Sequence, residues 1–428
     1  MADVRPFKGI RYNPARVRDL SLVITQPYDK ISPEMRQAYY RKHPDNFVRL
    51  ILPDSGDPYI NSKATLETWL SDGTLLRDDG PAFYVIHQEF DVNGIRKLRK
   101  GFIGVVRVEE FEKGAILPHE RTLSKPKADR LNMVRATRKD YEQIFLLYPD
   151  PEGEVDGILA PEGKPRMEAT DDYGVKQRVW VVTDPKKVAA ARKALAGKVM
   201  LIADGHHRYE TALNYRKEME AAGPVPDDAA LRFKTTAFVN INDPGLVILP
   251  THRLLHGLPA LDWNVVRRGL ERWFHVYRVS DELLAREVAS SFWLTEHVFG
   301  LYAGRGRSWI LRLTDRSAMR RFVPDRSDDY RSLDVAILHT LVIDRVFGIP
   351  ADKVEDHVAY ERRADAALAG VDSSDFQVAL IMNPTRAEQV SKVAARDERM
   401  PQKSTDFYPK LVSGLVFFDV SESERVPA

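Results

Sequence analysis

A short apolar run that breaks at Asp204-Gly205 and resumes with helical periodicity limits the possible folds of this chain more than any other segment. Val199–Ala203 has the composition of a buried strand. Tyr209, Ala212 and Leu213 then recur at helical spacing. The pattern therefore predicts a strand, a tight turn and a helix, with Asp204 as the helix N-cap.

The first turn of this helix carries three side chains that can be cationic, His206, His207 and Arg208. A helix start offers unpaired N–H groups and the positive end of the helix dipole, where cations are unfavourable. Such side chains indicate that a ligand supplies negative charge, and phosphate is the usual anion. Gly205 would let the backbone approach that ligand closely. A structural alternative stays open, because many such junctions only connect elements.

A second unusual segment, His119–Lys139, contains seven Lys or Arg residues and two acids, Glu120 and Asp129. The later cations fit a solvated helix face, the usual role of a charge run. The earlier cations fall in a segment that its prolines predict to be a loop, and a basic loop can close over phosphates. These predicted phosphate ligands are Arg121, Lys125 and Lys127.

Other apolar runs predict strands at Leu20–Ile24, Phe47–Leu52 and Leu246–Arg253. Ligands of open α/β sheets gather at the carboxyl ends of strands. We therefore expect substrate-binding side chains after the first of these strands and at the end of the third. They are Tyr28, Asp29, Thr251, His252 and Arg253.

The sequence motifs of several classes of enzyme are absent from this chain. The chain has no Gly-x-Ser-x-Gly elbow, no Rossmann fingerprint and no complete Walker A motif. Lys403-Ser404-Thr405 has the end of a phosphate loop without its glycine-rich lead-in, and is a weaker phosphate-binding candidate. The adjacent pair His206 and His207 does not match a helical zinc site, so no dedicated metal is expected. Asp204 or Glu120 could hold a phosphate-bound Mg²⁺.

A length of 428 residues suits two or three domains. A boundary is expected near Leu258, which gives a nucleotide- and phosphate-binding α/β domain at 1–258 and a C-terminal α/β domain at 259–428. The net charge of +2 gives no general case for nucleic acid or membrane binding. The lack of cysteine and of an apolar leader favours a cytoplasmic protein that acts on a small molecule. The oligomeric state stays open.

Motifs spread along the chain carry a family resemblance. They are Gln26-Pro-Tyr-Asp29, Leu117-Pro-His-Glu-Arg-Thr122, Pro126-Lys-Ala-Asp-Arg130, Ala203-Asp-Gly-His-His-Arg-Tyr-Glu-Thr-Ala212, Leu249-Pro-Thr-His-Arg253 and Met400-Pro-Gln-Lys-Ser-Thr405. By these motifs the chain is identified as a member of the prokaryotic uncharacterised domain family numbered 1015. Gln26 stands where the family usually has proline. The family resemblance implies no activity.

The segment from Asp204 to about Tyr215 also resembles the phosphate-binding segment of the ParB/sulfiredoxin superfamily. That superfamily includes CTP-binding ParB proteins, ATP-using sulfiredoxins and free-serine kinases. The resemblance implies an N-terminal ParB/sulfiredoxin-like domain with insertions and a smaller C-terminal α/β domain. It assigns phosphate contacts to Gly205, His206, His207 and Arg208. Sulfiredoxin chemistry needs a cysteine, and DNA partitioning does not suit the charge balance.

Together these features predict a nucleotide-dependent phosphotransferase that uses ATP, ADP or CTP with Mg²⁺. The expected acceptor is a small hydroxylated metabolite, with serine as the first candidate by superfamily analogy. The expected catalytic groups are Glu120, Asp204 and His207, with Glu120 as the general base or a metal ligand. A phosphoester hydrolase and a non-enzymatic nucleotide sensor remain alternatives.

Overall fold

The computed structural model describes residues 2–120, 125–294 and 296–427, with 125–127 described by their backbone alone. Over these residues the chain is a mixed α/β protein. Its strands are β1 (Val4–Arg5), β2 (Gly9–Tyr12), β3 (Leu75–Arg77), β4 (Phe83–Val92), β5 (Ile95–Arg107), β6 (Ile116–Leu117), β7 (Lys139–Asp140), β8 (Ile144–Tyr148), β9 (Met167–Thr170), β10 (Lys176–Val182), β11 (Met200–Asp204), β12 (Phe233–Asn240), β13 (Val247–Leu249), β14 (His252–Leu255), β15 (Phe274–Val279), β16 (Val298–Tyr302), β17 (Ser308–Leu313), β18 (Val358–Glu361), β19 (Val378–Ile381), β20 (Asp406–Tyr408) and β21 (Phe417–Asp419).

The α-helices vary from a single turn to the long helix that follows β11. They are α1 (Pro33–Lys42), α2 (Val48–Ile51), α3 (Pro58–Ser71), α4 (Lys125–Thr137), α5 (Glu154–Ile158), α6 (Pro185–Leu195), α7 (His206–Ala222), α8 (Trp263–Leu270), α9 (Asp281–Ser290), α10 (Ala318–Phe322), α11 (Asp328–Arg331), α12 (Asp334–Ile337), α13 (Val354–His357), α14 (Ala364–Asp372) and α15 (Ala387–Ala394). A π-helix, Leu338–Asp344, continues α12. No helix in the described part of the chain has the length and apolar character that a membrane span requires.

Two compact units divide the chain, and neither is continuous in sequence. The first contains 1–118, 122–247 and 409–428, and the second contains 119–121 and 248–408. The chain therefore enters the second unit after Val247 and returns to the first unit for its last segment. This division differs from the single break near Leu258 that the sequence suggests.

The large sheet of the first unit has the strand order β6-β11-β8-β12-β5-β4-β10-β9, with β1 on β5. The segment Asp91-Val-Asn-Gly94 between two apolar runs predicts a hairpin, and the structure confirms it: β4 and β5 turn through Asn93 and Gly94, both at positive φ. Such a turn matches the twist of the strands that it joins. β8 runs parallel to β12 and antiparallel to β11. Phe83, Phe102 and Ile202 lie in the core of this unit together with side chains of α6 and α7.

A smaller sheet in the same unit has the order β3-β2-β21-β7. Two of the predicted strands in the first unit, Leu20–Ile24 and Phe47–Leu52, are wrong. Leu20–Leu22 is a 3₁₀ turn, which Asp19 stabilises by accepting a hydrogen bond from Ser21 N. The run Phe47–Leu52 contains helix α2, where Asn46 accepts from Val48 N. A buried apolar run of this length has no periodicity that separates a strand from a helix.

The main sheet of the second unit has the antiparallel order β15-β17-β16-β19-β14-β18. Leu284 and Val288 of α9 and Ala367 of α14 contribute to its core. The predicted strand Leu246–Arg253 is divided into β13, which pairs with β20, and β14. Pro250 falls between the two, where a residue without an N–H interrupts strand pairing.

Candidate functional site

The turn between β11 and α7 depends on Gly205, which has a φ of +94°. A Cβ at this position would lie 3.0 Å from Ile144 Cγ2 and 3.2 Å from Arg208 Nε, so both the conformation and the space favour glycine. Gly205 is the N-cap of α7, and within the described residues this helix has no side-chain cap and no acid in its first turn. Helices α1, α3 and α6 are each capped by a Ser or Asp side chain. The start of α7 therefore keeps the electrostatic character of an anion site.

Asp204 ends β11, and the prediction that it caps α7 is wrong. Two cations hold its carboxylate: Arg208 Nη2 donates to Oδ2 at 2.5 Å, and Lys410 Nζ donates to Oδ1 at 3.0 Å. Burial would raise the pKa of Asp204, but the charges of Lys410 and Arg208 outweigh it and hold the pKa well below its usual range. So strongly ionised a carboxylate is a weak proton acceptor near neutral pH. Since both of its oxygens bind cations of the protein, it also does not fit a direct Mg²⁺ ligand.

The Arg208 side chain is only 9% exposed and joins the start of α7 to the neighbouring strands. Its Nη1 donates to the carbonyl oxygen of Gln143, just before β8. Burial opposes its charged form, yet the carboxylates of Asp204, Glu142 and Asp29 raise its pKa above the ordinary value. Arg208 is therefore a permanently charged residue with a structural salt bridge, besides its predicted role at phosphate.

Tyr28 and Asp29 lie in a 3₁₀ turn and not at the end of a strand. Tyr28 N donates to Glu142 Oε1 at 2.9 Å, and Ser413 Oγ donates to the same oxygen at 2.9 Å. The Arg130 guanidinium lies 4.3 Å from the centre of the Tyr28 ring. Burial, assisted by the charges of Glu142 and Asp29, raises the pKa of Tyr28 to about 12. Tyr28 therefore stays protonated at neutral pH.

Charges couple this turn to the junction of β11 and α7. Lys30 is one of the groups that lower the pKa of Asp204, and Asp29 is one of those that raise the pKa of Arg208. The first unit thus brings together the predicted residues Tyr28, Asp29 and the segment Asp204–Arg208. Glu142, Lys410 and Ser413 complete this cluster, and no sequence motif marked them.

A pocket in the first unit runs along α7 from Arg208. Arg208, Thr211, Ala212 and Tyr215 form one stripe of the helix, as their spacing requires. The facing residues include Met133 and Val134 of α4 and Phe233 and Lys234 of β12. Lys234 donates to Asp140 and to the Glu142 carbonyl, which stabilises its buried ammonium group. The pocket is mostly apolar, but its free volume of about 50 Å³ is well below the roughly 300–1,000 Å³ of typical ligand sites.

The second unit contains the predicted residues Glu120, Thr251–Arg253 and Lys403–Thr405. Lys403 N donates to Glu120 Oε1 at 3.1 Å, and Arg253 Nη2 donates to the Lys403 carbonyl at 2.9 Å. His119 Nε2 and Thr405 Oγ1 share a hydrogen bond of 2.9 Å. Three sequence motifs that are far apart in the chain therefore meet within this unit.

Arg253 is fully buried at the centre of this second cluster and donates to the Thr251 carbonyl. Its Nε lies 3.3 Å from His339 Nε2. Burial and the Arg253 charge lower the pKa of His252 to about 4 and that of His339 to about 3. Both imidazoles are therefore neutral near pH 7. The substrate-binding roles of Thr251, His252 and Arg253 stay predictions.

The basic loop is described only in part. Arg121 lies outside the described residues, and nothing is described of the Lys125 and Lys127 side chains. Their backbone begins α4, so the prediction of a loop at these two positions is wrong. Pro126 is compatible with this helix because a proline in the first turn loses no hydrogen bond. Among the described residues, no three His, Asp or Glu side chains form a group that could hold a metal ion.

Comparison with known proteins gives one family match. The model of a family described as "Protein of unknown function (DUF1015)" matches residues 4–336. No curated protein matches the chain.

Solved structures with similarity to this chain include a conserved hypothetical protein from Pyrococcus furiosus, at 14% identity and a TM-score of 0.35, covering 72% of this chain and 92% of that one. Free serine kinase in complex with AMP matches at 13% identity and a TM-score of 0.35, with 72% and 89% covered. SbnI with a C-terminal truncation from Staphylococcus aureus matches at 11% identity and a TM-score of 0.34, covering 72% of this chain and 84% of that one. Scores this low do not establish a shared fold.

Proposed function

Since the chain belongs to the DUF1015 family, for which no function is known, we propose from its own residues that it is a nucleotide-dependent phosphotransferase. The nucleotide phosphates bind at the start of α7, through the backbone of Gly205, the residues His206 and His207 with their side chains, and the charge of Arg208. The acceptor is the hydroxyl group of a small metabolite. Serine is the first candidate because the Asp204–Tyr215 segment resembles the phosphate-binding segment of free-serine kinases.

The observation that carries this proposal is the start of α7. Within the described residues this helix has neither a side-chain cap nor an acid in its first turn. The Asp204 carboxylate directly before it is paired with Arg208 and Lys410. Lys30 adds a further cation within electrostatic range, while the carboxylates of Glu142 and Asp29 act on Arg208. An anionic ligand would therefore bind to the N–H groups and the positive dipole end of the helix start.

The choice of a nucleotide over phosphate alone rests on the resemblance of Asp204–Tyr215 to a segment that binds nucleotide phosphates. The pocket along α7 does not accommodate a base in this conformation, because its free volume is about 50 Å³.

Phosphoryl transfer asks little covalent chemistry of the protein. The acceptor oxygen forms a bond to the terminal phosphorus, the bond from that phosphorus to the bridging oxygen breaks, and the nucleotide leaves with the electron pair. The hydroxyl proton passes to a base. His207 is the base that we assign within the first unit, because the pKa of Asp204 is too low for this role. The catalytic role of Glu120, which belongs to the second unit, stays a prediction.

Mg²⁺ would enter with the nucleotide, where it neutralises charge on the phosphate oxygens. Asp204 does not suit a direct ligand of this ion, because both of its carboxylate oxygens already bind cations of the protein.

The test combines purified protein with ATP, ADP or CTP and Mg²⁺, with and without L-serine, and measures products by mass spectrometry. Formation of phosphoserine supports the proposal. Phosphate release that is independent of any hydroxylated acceptor would indicate a hydrolase, and nucleotide binding without turnover would indicate a sensor. Either outcome overturns the proposed transfer.

The double variant His206→Gln/His207→Gln locates the site. Loss of one charge-assisted hydrogen bond reduces affinity by roughly 10- to 150-fold, so nucleotide binding measured by calorimetry should weaken at least that much. His275→Gln is the matched control, because His275 is an exposed histidine on β15 of the second unit. Equal affinities in the two variants would remove α7 from the proposed site.

A further inference from the structure

Three polar side chains form a row across neighbouring strands in the interior of the first unit. Gln177 of β10 is paired with Gln88 of β4, and Gln88 is paired with Arg99 of β5. Directly paired residues of adjacent strands project from the same face of a sheet. The three side chains are therefore neighbours, and each is at most 2% exposed.

This row is incompletely hydrogen-bonded. Within the described residues, Arg99 Nη1, Gln88 Nε2 and both amide atoms of Gln177 are buried without a partner. Native proteins leave few buried polar atoms unpaired, because each one loses its hydrogen bonds to water on burial. Several such atoms in one row are the pattern of a site that a polar ligand completes.

The charge of Arg99 indicates what kind of ligand this is. The groups that accept hydrogen bonds from its guanidinium are neutral, namely Gln88 Oε1 and the Pro409 carbonyl. Its guanidinium also lies 4.7 Å from the centre of the Phe145 ring. The carboxylates of Asp243 and Asp204 act on Arg99 through space, but among the described residues neither forms a hydrogen bond with it. A buried guanidinium whose Nη1 has no partner there, with amide N–H groups beside it, suits a planar carboxylate. The unpaired Gln177 Oε1 would accept from an ammonium or hydroxyl group of the same ligand.

The row ends close to the candidate site. Arg99 Nη2 donates to Pro409, and the next residue, Lys410, binds Asp204. Burial lowers the pKa of Arg99 to about 9, and the carboxylates of Asp243 and Asp204 partly offset this effect, which places Asp204 within electrostatic range of Arg99. A ligand on Arg99 would therefore lie near the junction of β11 and α7.

We infer that Gln88, Arg99 and Gln177 bind the carboxylate end of the phosphoryl acceptor, a small hydroxy acid or amino acid. The identification of the ligand as the acceptor rests on the proposed function, whereas the carboxylate site itself does not.

Gln177→Met is the decisive variant, because methionine has a similar length and no amide. If the amide has no protein partner, this variant keeps or raises the melting temperature. Its dissociation constant for L-serine, measured by equilibrium dialysis, should rise roughly 5- to 10-fold, as expected for one lost hydrogen bond. Gln37→Met, on an exposed position of α1, is the matched control and should change neither quantity.

Arg99→Met provides a second measurement. Wild-type protein should prefer L-serine, L-lactate and D-glycerate to ethanolamine, which lacks the carboxylate, and this variant should lose the preference. A lower melting temperature of Gln177→Met with unchanged dissociation constants would show a structural amide and overturn the inference. Absence of carboxylate binding to wild-type protein would overturn it as well. Carboxylate binding that depends on Gln177, without nucleotide-dependent transfer, would refute only the proposed function.

Discussion

Replacement of Lys410 by methionine tests the electrostatic core of the candidate site. Lys410 Nζ lies 3.0 Å from Asp204 Oδ1, and its side chain is 10% exposed, so solvent screens this pair only weakly. A hydrogen bond between charged groups contributes about 1.5–3 kcal/mol. Lys410→Met should therefore lower the free energy of unfolding by about that amount, because Asp204 keeps Arg208 as a second partner.

The measurement is the melting temperature of the unfolding transition of the whole protein, recorded by calorimetry at pH 7. For domains of about 150–250 residues, 1 kcal/mol corresponds to roughly 2–4 °C, so the expected decrease is roughly 3–12 °C. Lys63→Met is the matched control, because its Nζ lies 3.9 Å from Glu67 and its side chain is 57% exposed. An exposed pair of this kind contributes at most about 1 kcal/mol.

The pH dependence gives an independent check. The pKa of Asp204 is lowered in the folded protein, so its ion pairs stabilise the fold above the ordinary aspartate pKa of about 3.9. This stabilisation is lost progressively as the pH falls towards the lowered pKa. The difference between wild type and Lys410→Met should therefore shrink below about pH 4. Equal melting temperatures at pH 7, or a difference that grows in acid, would refute the assignment of this ion pair.

Three further predictions concern the junction and the basic segment. Gly205→Ala should lower the melting temperature more than Gly114→Ala, because both positions have positive φ but only at Gly205 would a Cβ meet neighbours; equal losses would contradict the close packing. Glu120→Gln should preserve folding and nucleotide affinity yet reduce turnover by roughly 10²–10⁴-fold if Glu120 is the base. Wild-type turnover in that variant would favour His207. Nucleotide should slow limited proteolysis within 117–130, and identical cleavage rates with and without it would leave no closing role for the basic segment.

The elements that the sequence predicts well are those with local signals. Ser32-Pro33 marks the start of α1, and the structure shows Ser32 as its N-cap. Asp184-Pro185 marks α6 in the same way. Asn93-Gly94 specifies a hairpin turn that few other residues can adopt. In each case a few neighbouring residues determine the backbone conformation, so no knowledge of distant contacts is needed.

The errors arise where tertiary contacts decide. Phe47–Leu52 is apolar throughout most of its length, and its helix is selected by burial on several sides, which a sequence pattern does not record. Aspartate is a favoured N-cap residue, but the Asp204 carboxylate binds Lys410 and Arg208 instead of the first N–H groups of α7. Lys410 lies 206 residues further along the chain, in a segment that returns from the second unit. Sequence patterns miss Glu142 and Ser413 for the same reason.

Asp204→Asn separates the possible roles of the most constrained carboxylate. As a counter-ion of Arg208 and Lys410, Asp204 stabilises the fold and reduces the positive potential at α7. Removal of its charge should therefore lower the melting temperature while it strengthens nucleotide binding, because two uncompensated cations attract phosphate. Calorimetry at low salt should show a dissociation constant several-fold below that of wild type, since surface potentials are screened as the salt concentration rises. A general base or a Mg²⁺ ligand predicts the opposite, namely unchanged or weaker binding with loss of turnover. A lower melting temperature together with a higher dissociation constant for nucleotide would instead support Asp204 as a catalytic group.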